Sequence, residues 1–185
     1  MKTRKDSYEL LYKYIKSKSL LNHSYMVATG MEYYARLLSL SSEEIEEWWH
    51  AGLLHDLDWE MYPETHPLVA VNQILPDLGY SAAIINAIKA HAPERTNYMP
   101  TTNIEKFLFA CDELSGFLYA VALVRPNKFS DMTVASVIKR LKEKSFASNI
   151  NRLDIQKGAD LIGITLEEHI QNLITCFQLQ QLQQV

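Results

Sequence analysis

Apolar side chains recur three or four residues apart along most of the chain, which is the spacing of one face of an α-helix. Leu10, Tyr14 and Ile15 mark a first amphipathic helix, and a second is predicted from about residue 22 to residue 40. No stretch of the sequence alternates convincingly with the period of two that is typical of a half-buried strand. The pattern therefore predicts an all-α fold.

Polar residues mark where several of the predicted helices begin. Ser41 and Glu44 form a capping box, which should open a helix that runs to about residue 54. Thr102 and Glu105 form a second box before a long helix that should end near residue 124. The remaining predicted helices cover residues 67–75, where Pro76 should end the helix, residues 81–90 and 132–144, and a last segment that Thr165 caps.

Composition narrows the class of protein. A chain of 185 residues with 48% hydrophobic residues suits one globular domain and is too apolar for a disordered protein. The net charge of −4 argues against binding of bulk nucleic acid.

The most apolar run, residues 107–124, is interrupted by Asp112 and Glu113, so no membrane span is expected. Two cysteines without a CxxC motif and the lack of a signal peptide predict a cytoplasmic protein.

Five positions have His or Asp where the helical pattern predicts an apolar residue. His23 and His91 lie on otherwise apolar helix faces, and Asp112 lies within the most hydrophobic helix of the chain. His55 and Asp56 follow directly on an apolar run. Burial of several imidazoles and carboxylates is costly unless a cation compensates it. Neutral His and ionised Asp suit Mn, Fe, Co, Ni, Zn or Mg, so the sequence predicts one or two divalent metal ions.

Two further histidines are not assigned to this group. His50 precedes His55 by five residues, so the two do not share a helix face, and His50 is assigned either a structural role or a role in support of a metal ligand. His169 is expected at the exposed surface of the last helix. Neither histidine is predicted to be a principal metal ligand.

The order of the candidate ligands resembles a known motif. His23, the adjacent pair His55-Asp56 and the distant Asp112 resemble the H…HD…D signature of the HD superfamily of metal-dependent phosphohydrolases. In that family the four residues bind one metal ion. Members with two metal ions add a histidine in a His-Pro pair and a histidine at the end of the next helix. These positions match His66 and His91 here.

Two-metal members usually have consecutive histidines at the second of these positions. Here the neighbours of His91 are Ala90 and Ala92, so the chain departs from that pattern by one ligand. The resemblance to the superfamily covers about residues 20–125. It implies a single HD domain over residues 1–185, in which a helical extension from about residue 126 packs on the core that contains the motif.

The chain is also similar to a group of short bacterial and archaeal HD proteins whose substrates are less well established than their fold. The resemblance rests on several short motifs, which are Leu53-Leu54-His55-Asp56-Leu57-Asp58, His66-Pro67, Asp112-Glu113-Leu114-Ser115-Gly116, Val124-Arg125-Pro126 and Lys144-Ser145-Phe146. It implies a hydrolase that acts on a nucleotide or another small phosphorylated molecule.

The resemblance implies that metal-activated water attacks phosphorus. Asp56 is assigned to catalysis as well as to metal binding, because its carboxylate can bridge two ions or hold one while it hydrogen-bonds the water. Asp58 and Glu60, with Glu64 as a third candidate, follow closely enough to protonate the leaving oxygen. For each of these three carboxylates, a solvated loop residue is the alternative interpretation.

Three residues are candidates for substrate binding. Lys144 and Arg152 flank a polar, loop-like segment and are predicted to bind phosphate oxygens, although basic runs are often solvated helix faces. Trp59 stands three residues past Asp56 and is predicted to stack on a base, against the alternative of a core position.

Three other functions stay open at this point. A di-iron oxygenase of the HD fold would use the same histidines, and iron content with oxygen consumption would distinguish it. A non-catalytic domain that senses a metal ion or a nucleotide would bind tightly without turnover. An all-α protein whose buried His and Asp residues only satisfy one another is the third. The apolar segments 117–124 and 166–177 could also pair between chains in a homodimer.

Overall fold

The structure is a computed structural model that describes residues 2–183, with side chains up to residue 180. Within residues 2–183 it contains α-helices, one π-helical turn at Ala70–Ile74 and no strand, so the all-α prediction is confirmed. In this described part of the chain, no helix combines the length and the apolar character that crossing a membrane requires. The helices are α1 (Arg4–Tyr14), α2 (Lys18–Leu37), α3 (Ser42–Leu54), α4 (Leu75–Asp77), α5 (Ala82–His91), α6 (Pro93–Thr96), α7 (Asn103–Leu123), α8 (Val134–Leu141), α9 (Arg152–Ile162) and α10 (Leu166–Gln183).

The chain divides into two compact units, one that ends at Phe109 and one that begins at Ala110. The boundary lies within α7. The prediction of one domain, with a core that ends near residue 125, stays a prediction. The candidate ligands from His23 to His91 all lie in the first unit, whereas Asp112 lies in the second.

Side-chain caps explain where helices begin. Ser41 Oγ accepts the N–H of Glu44, and the Glu44 carboxylate accepts the N–H of Ser41, so the predicted capping box of α3 is confirmed. At α7, the Glu105 carboxylate accepts the N–H of Thr102 at 2.9 Å, which is one half of the predicted box, and also the N–H of Thr101 at 2.7 Å. These bonds satisfy backbone N–H groups in and just before the first turn of each helix, where no carbonyl of the helix can accept them.

The first unit is built around the contact between α2 and α3. A Cβ atom placed on Gly52 of α3 would lie 2.7 Å from Ala28 Cα and 2.9 Å from the Val27 carbonyl oxygen of α2. Only a residue without a side chain permits this approach, so Gly52 sets the distance between the two helices. The fully buried side chains of this unit include Leu11, Ile15, Val27, Met31, Leu53, Leu54, Leu57 and Ile88.

A buried chain of hydrogen bonds joins α1 to α3. His50 Nε2 donates to the carbonyl oxygen of Lys2 at 3.0 Å, because a carbonyl can only accept. His50 Nδ1 therefore accepts from the Ser7 hydroxyl at 2.9 Å, and Ser7 Oγ in turn accepts from Tyr80 OH at 2.7 Å. Burial lowers the pKa of His50. His50 thus has a structural position, as its spacing from His55 predicted.

The segment predicted as a helix over residues 67–75 differs from the prediction in its helix type and in the residue at which it ends. Residues 70–74 form a π-helical turn, in which the N–H of Leu75 bonds to the carbonyl of Ala70. The helical run then continues through Pro76 to Asp77, so the prediction that Pro76 ends it is wrong. The wider π turn directly before Pro76 accommodates a residue that has no N–H to contribute to the helix.

In the second unit, α10 contacts both α8 and α9. Helix α9 was not predicted, because its buried face consists of Ile155, Gly158 and Ala159, and two of these are too small to mark an apolar stripe. The small residues instead allow α9 to approach Ala110 of α7 closely. A Cβ atom on Gly158 would lie 2.7 Å from Ala110 Cα.

His169 of α10 is fully buried, so its expected place at the surface is wrong. Its Nε2 donates to the Ala110 carbonyl oxygen at 2.9 Å. Burial lowers the pKa of His169 to about 4, and this hydrogen bond opposes the shift. The sequence did contain the signal, because Leu173 and Cys176 lie four and seven residues further on and are also buried.

The buried imidazole of His169 should make the protein less stable in acid. The pKa of His169 is depressed in the folded protein from 6.5 to about 4. Below pH 6.5 the unfolded chain therefore binds a proton that the folded protein binds only near pH 4. The free energy of unfolding is unaffected by His169 above pH 6.5 and falls as the pH drops toward 4. At pH 5 the loss should be on the order of 2 kcal/mol. Urea unfolding of the metal-free protein and of His169→Gln at pH 7 and pH 5 should show a smaller acid loss in the variant. Equal losses in both proteins would contradict the assignment.

Substitution of Gly52 by Ala should separate α2 from α3. The new methyl group would meet backbone atoms of Ala28 rather than a flexible side chain, so we expect a loss of about 1–3 kcal/mol in unfolding free energy. Because Gly52 also fixes a metal-ligand candidate, metal affinity should fall as well. The control Gly79→Ala has open space around its Cβ and a φ of +75°. It should lose stability through backbone strain and keep its affinity for metal.

Candidate metal centre

His55 and Asp56 lie where α3 ends, directly after Leu54. The preceding residues of the helix are buried, so α3 carries the His55 side chain into the core, where it is 0% exposed. The side chains of Asp56 and His23 keep 15% and 16% exposure. The centre is therefore reached from solvent on the side of these two residues.

The carboxylate of Asp56 lies between two pairs of histidines, with one oxygen facing each pair. Its Oδ2 is 3.3 Å from His55 Nε2 and 3.7 Å from His23 Nε2. Its Oδ1 is 3.3 Å from His66 Nε2 and 3.9 Å from His91 Nε2. Within the pairs, the two Nε2 atoms are 3.1 Å apart for His23 and His55, and 3.2 Å apart for His66 and His91. The structure thus brings five predicted ligands together.

Two of the four imidazoles are oriented by their own helices. His55 Nδ1 donates to the carbonyl oxygen of Gly52 at 2.8 Å, and His91 Nδ1 donates to that of Ile88 at 2.5 Å. Both acceptors lie three residues earlier, where a helix end leaves carbonyls without an internal partner. When neutral, these rings therefore have a lone pair on Nε2, which is the form that binds a metal ion.

A buried carboxylate orients the third imidazole. Asp58 Oδ1 accepts from His66 Nδ1 at 2.7 Å, and Asp58 Oδ2 accepts the N–H of Ala70 at 2.8 Å. Asp58 is 0% exposed, and His66 is 3% exposed. This arrangement is typical of metal-ligating histidines, whose second ring nitrogen donates to a carboxylate or a carbonyl.

The donor set fits divalent metal ions. Neutral His66 and His91 both donate through Nδ1, so they direct two lone pairs at one another across 3.2 Å. Between two neutral rings that contact is repulsive, and a cation against both nitrogens and Asp56 would relieve the repulsion. Two nitrogens bound to one ion at about 2.1 Å stand about 3.0–3.4 Å apart for right-angled to tetrahedral geometry. Ligand atoms of Asp56, His66 and His91 all lie within 4.8 Å of one another.

Three of the predicted site residues lie in the second unit of the chain. Asp112 lies on α7 and is half-buried. Lys144 is exposed and lies between α8 and α9. Arg152, at the start of α9, donates from Nη1 to the carbonyl of Ile150 at 2.7 Å and lies 5.2 Å from the ring centre of Phe117. The predicted metal role of Asp112 and the predicted phosphate roles of Lys144 and Arg152 stay predictions.

The loop after Asp56 holds the predicted proton donors. Glu60 is exposed, and its Oε2 accepts the N–H groups of Lys16 at 2.9 Å and Ser17 at 3.0 Å. These backbone bonds lower the pKa of Glu60, which favours the ionised form over a proton donor. Glu64 is exposed as well. The assignment of the proton donor to Asp58 or Glu60 stays a prediction.

Trp59 lies beside the centre. Its ring is 37% exposed, and it meets the His66 ring edge to face, with 4.9 Å between ring centres and 84° between planes. Stacking of a substrate base on Trp59 stays a prediction. Sequence reasoning missed the neighbouring Arg95, whose guanidinium lies 5.3 Å from the Trp59 ring centre. Arg95 belongs to the four-residue helix α6, which is too short to produce a periodic pattern.

Part of the chain matches a known protein family. A family model described as HD domain matches residues 20–116 of the chain. The matched stretch contains the five clustered ligands and also Asp112. No curated protein and no solved structure matches the chain.

Substitution of Asp58 by Asn should weaken the His66–His91 half of the centre. His66 Nδ1 and the N–H of Ala70 donate to different oxygens of Asp58. In Asn one of these oxygens is replaced by an NH2 group, which cannot accept, so one of the two bonds is lost. Loss of such an orienting partner costs about 10–100-fold in metal affinity. Competition with a chelator should show this loss for one ion per chain. The control Asp77→Asn removes an exposed carboxylate charge and should bind as the wild type. Unchanged affinity in Asp58→Asn would refute the orienting role.

Proposed function

Because the chain belongs to the HD domain family, we propose that it is a metal-dependent phosphohydrolase that acts on a nucleotide or another small phosphorylated molecule. The observation that supports this best is the position of Asp56. Its two oxygens face separate histidine pairs, each with a nitrogen 3.3 Å away. One carboxylate between two nitrogen pairs is suited to hold two ions at a fixed separation.

The residues of the first unit would hold the metal in two halves. His23, His55 and Asp56 Oδ2 supply one half, and His66, His91 and Asp56 Oδ1 supply the other. Divalent ions bound there would polarise a phosphoryl oxygen and make water more acidic. Asp56 would fix the separation of the two halves and so the place where the phosphoryl group lies.

Burial adds to the catalytic effect of these residues. His55, His66 and His91 are 0%, 3% and 8% exposed, so bulk water is excluded behind the ligands. Electrostatic interactions in such a site are stronger than in water because fewer solvent dipoles screen them. A phosphoryl group would approach on the side of Asp56 and His23, which retain accessible surface.

The chemistry of the ligands favours some metals over others. Four imidazoles and the Asp56 carboxylate form a nitrogen-rich set, and imidazole suits Zn, Fe, Ni and Cu better than Mg. Oxygen-only sites, by contrast, suit Mg and Ca. We therefore propose Fe, Zn, Co or Ni as the resident ions, and Mn and Mg as the less suitable of the predicted metals.

The same nitrogen-rich set favours one rival function, a di-iron oxygenase. Iron with imidazole and carboxylate ligands can react with dioxygen, and the two halves around Asp56 would hold two such ions. Two irons per chain with oxygen consumption, and no release of phosphate from any ester, would establish this function in place of the hydrolase. Tight binding of a nucleotide without either reaction would instead indicate a sensor.

The decisive test is elemental analysis of protein purified without chelator, followed by a screen of phosphate mono- and diesters with each candidate metal. Asp56→Ala should lose both ions and hydrolysis. Loss of an outer partner alone costs about 10–100-fold in affinity or activity, and loss of the shared ligand should cost more. Asp77→Ala is the matched control because it removes an exposed carboxylate. Wild-type metal content in Asp56→Ala would show that Asp56 is not a principal ligand.

A further inference from the structure

Arg95 is hydrogen-bonded to the backbone beside the candidate metal centre. Its Nη1 donates to the carbonyl oxygen of His66 at 3.3 Å and to that of Pro63 at 2.7 Å. His66 is one of the clustered ligand candidates, and its Nε2 lies 3.3 Å from Asp56. The guanidinium therefore stands at the backbone of a residue whose side chain faces the centre.

Trp59 forms a second kind of contact with the guanidinium of Arg95. The guanidinium carbon lies 5.3 Å from the Trp59 ring centre, which is within the range of a cation–π contact. The Trp59 ring in turn contacts the His66 ring at 4.9 Å between centres. Arg95 is thus fixed by two carbonyls and one aromatic ring, so little side-chain entropy remains to be lost when it binds a ligand.

The charge of Arg95 is not neutralised by the protein in the described residues. Among these residues, Arg4, Arg36, Arg125 and Arg140 each form an ion pair with a carboxylate. Arg95 forms none there, and its Nε and Nη2 donate to no acceptor in the part of the chain that the structure describes. It is exposed to solvent. A fixed, exposed cation with unused donors is suited to bind an oxyanion.

We propose that Arg95, positioned by Trp59, binds a non-bridging phosphate oxygen of the substrate beside the metal centre. The inference rests on the proposed function, because it assigns the phosphate-binding residue of the same site. Arg suits this task because its planar donor fork can contact two phosphate oxygens in one fixed geometry, whereas the Lys ammonium acts as a point charge. Trp59 is a positioning residue in this arrangement, since it holds the guanidinium rather than the reacting group.

Orthophosphate is the probe for the test, because it offers the proposed oxyanion without an organic group. The full chain, with its metal content measured, is titrated with orthophosphate by calorimetry. The dissociation constant should rise by about tenfold or more in Arg95→Gln, which is the loss expected for one charge-assisted contact. Metal content per chain should stay at the wild-type value. Arg95→Lys should recover only part of the affinity.

The matched control is Lys5→Gln, which removes one positive charge from a side chain that is 85% exposed. It should bind orthophosphate as the wild type does. Trp59→Leu gives a second variant, should Arg95→Gln fail to fold or lose metal. It removes the ring and leaves the two carbonyl acceptors in place, so it should also weaken orthophosphate binding while metal content is kept.

The outcomes separate this inference from the proposed function. An unchanged dissociation constant in Arg95→Gln with normal metal content would overturn the role of Arg95, whether or not the protein hydrolyses phosphate esters. Lack of orthophosphate binding by the metal-loaded wild type at millimolar concentration would overturn it as well. Binding that depends on Arg95, in a protein that hydrolyses no phosphate ester, would support the anion site and refute the hydrolase.

Discussion

The contact of one carboxylate with four imidazoles is the constraint on which the first unit depends. Asp56 and the two histidine pairs bring polar groups into a core filled mostly by apolar side chains. Such groups are costly to bury unless each is hydrogen-bonded or bound to a cation. A divalent cation against both His66 Nε2 and His91 Nε2, which are 3.2 Å apart, would compensate these groups.

The fold meets this constraint by controlling the second nitrogen of each oriented ring. Gly52 illustrates how closely fold and site are linked. Its missing side chain permits α2 to approach α3, and its carbonyl fixes the tautomer of His55. Asp58 performs the equivalent task for His66 and also ties the loop to the N–H of Ala70. Packing and ligand orientation therefore depend on the same few backbone positions.

The sequence predicted those parts that leave a periodic or adjacent signal. The His55-Asp56 pair interrupts an apolar run, and His66 and His91 match the family pattern, so the cluster could be expected. The orienting bonds of Asp58 could not, because they depend on how a loop without periodicity returns to Ala70. Arg95 lies in a four-residue helix, and its importance arises only from its contacts with Trp59 and His66. The expectation that His169 is exposed was a different kind of error, because the spacing of Leu173 and Cys176 already indicates a buried helix face.

Charge balance connects the centre to the kind of substrate that we propose. Asp56 and Asp58 are the carboxylates that contact the clustered histidines within the first unit, and they offer two negative charges. Two divalent ions would exceed that charge by two, and still by one if Asp112 has its predicted metal role. Neutral imidazoles contribute no charge. A surplus of positive charge in a site shielded from water attracts an anion strongly, because little solvent is present to screen it. Arg95 extends the positive region outward without a carboxylate partner in the described chain. A phosphate group, with several oxygens and more than one negative charge, could contact both the ions and the guanidinium, and this positive region would attract it more strongly than a neutral substrate.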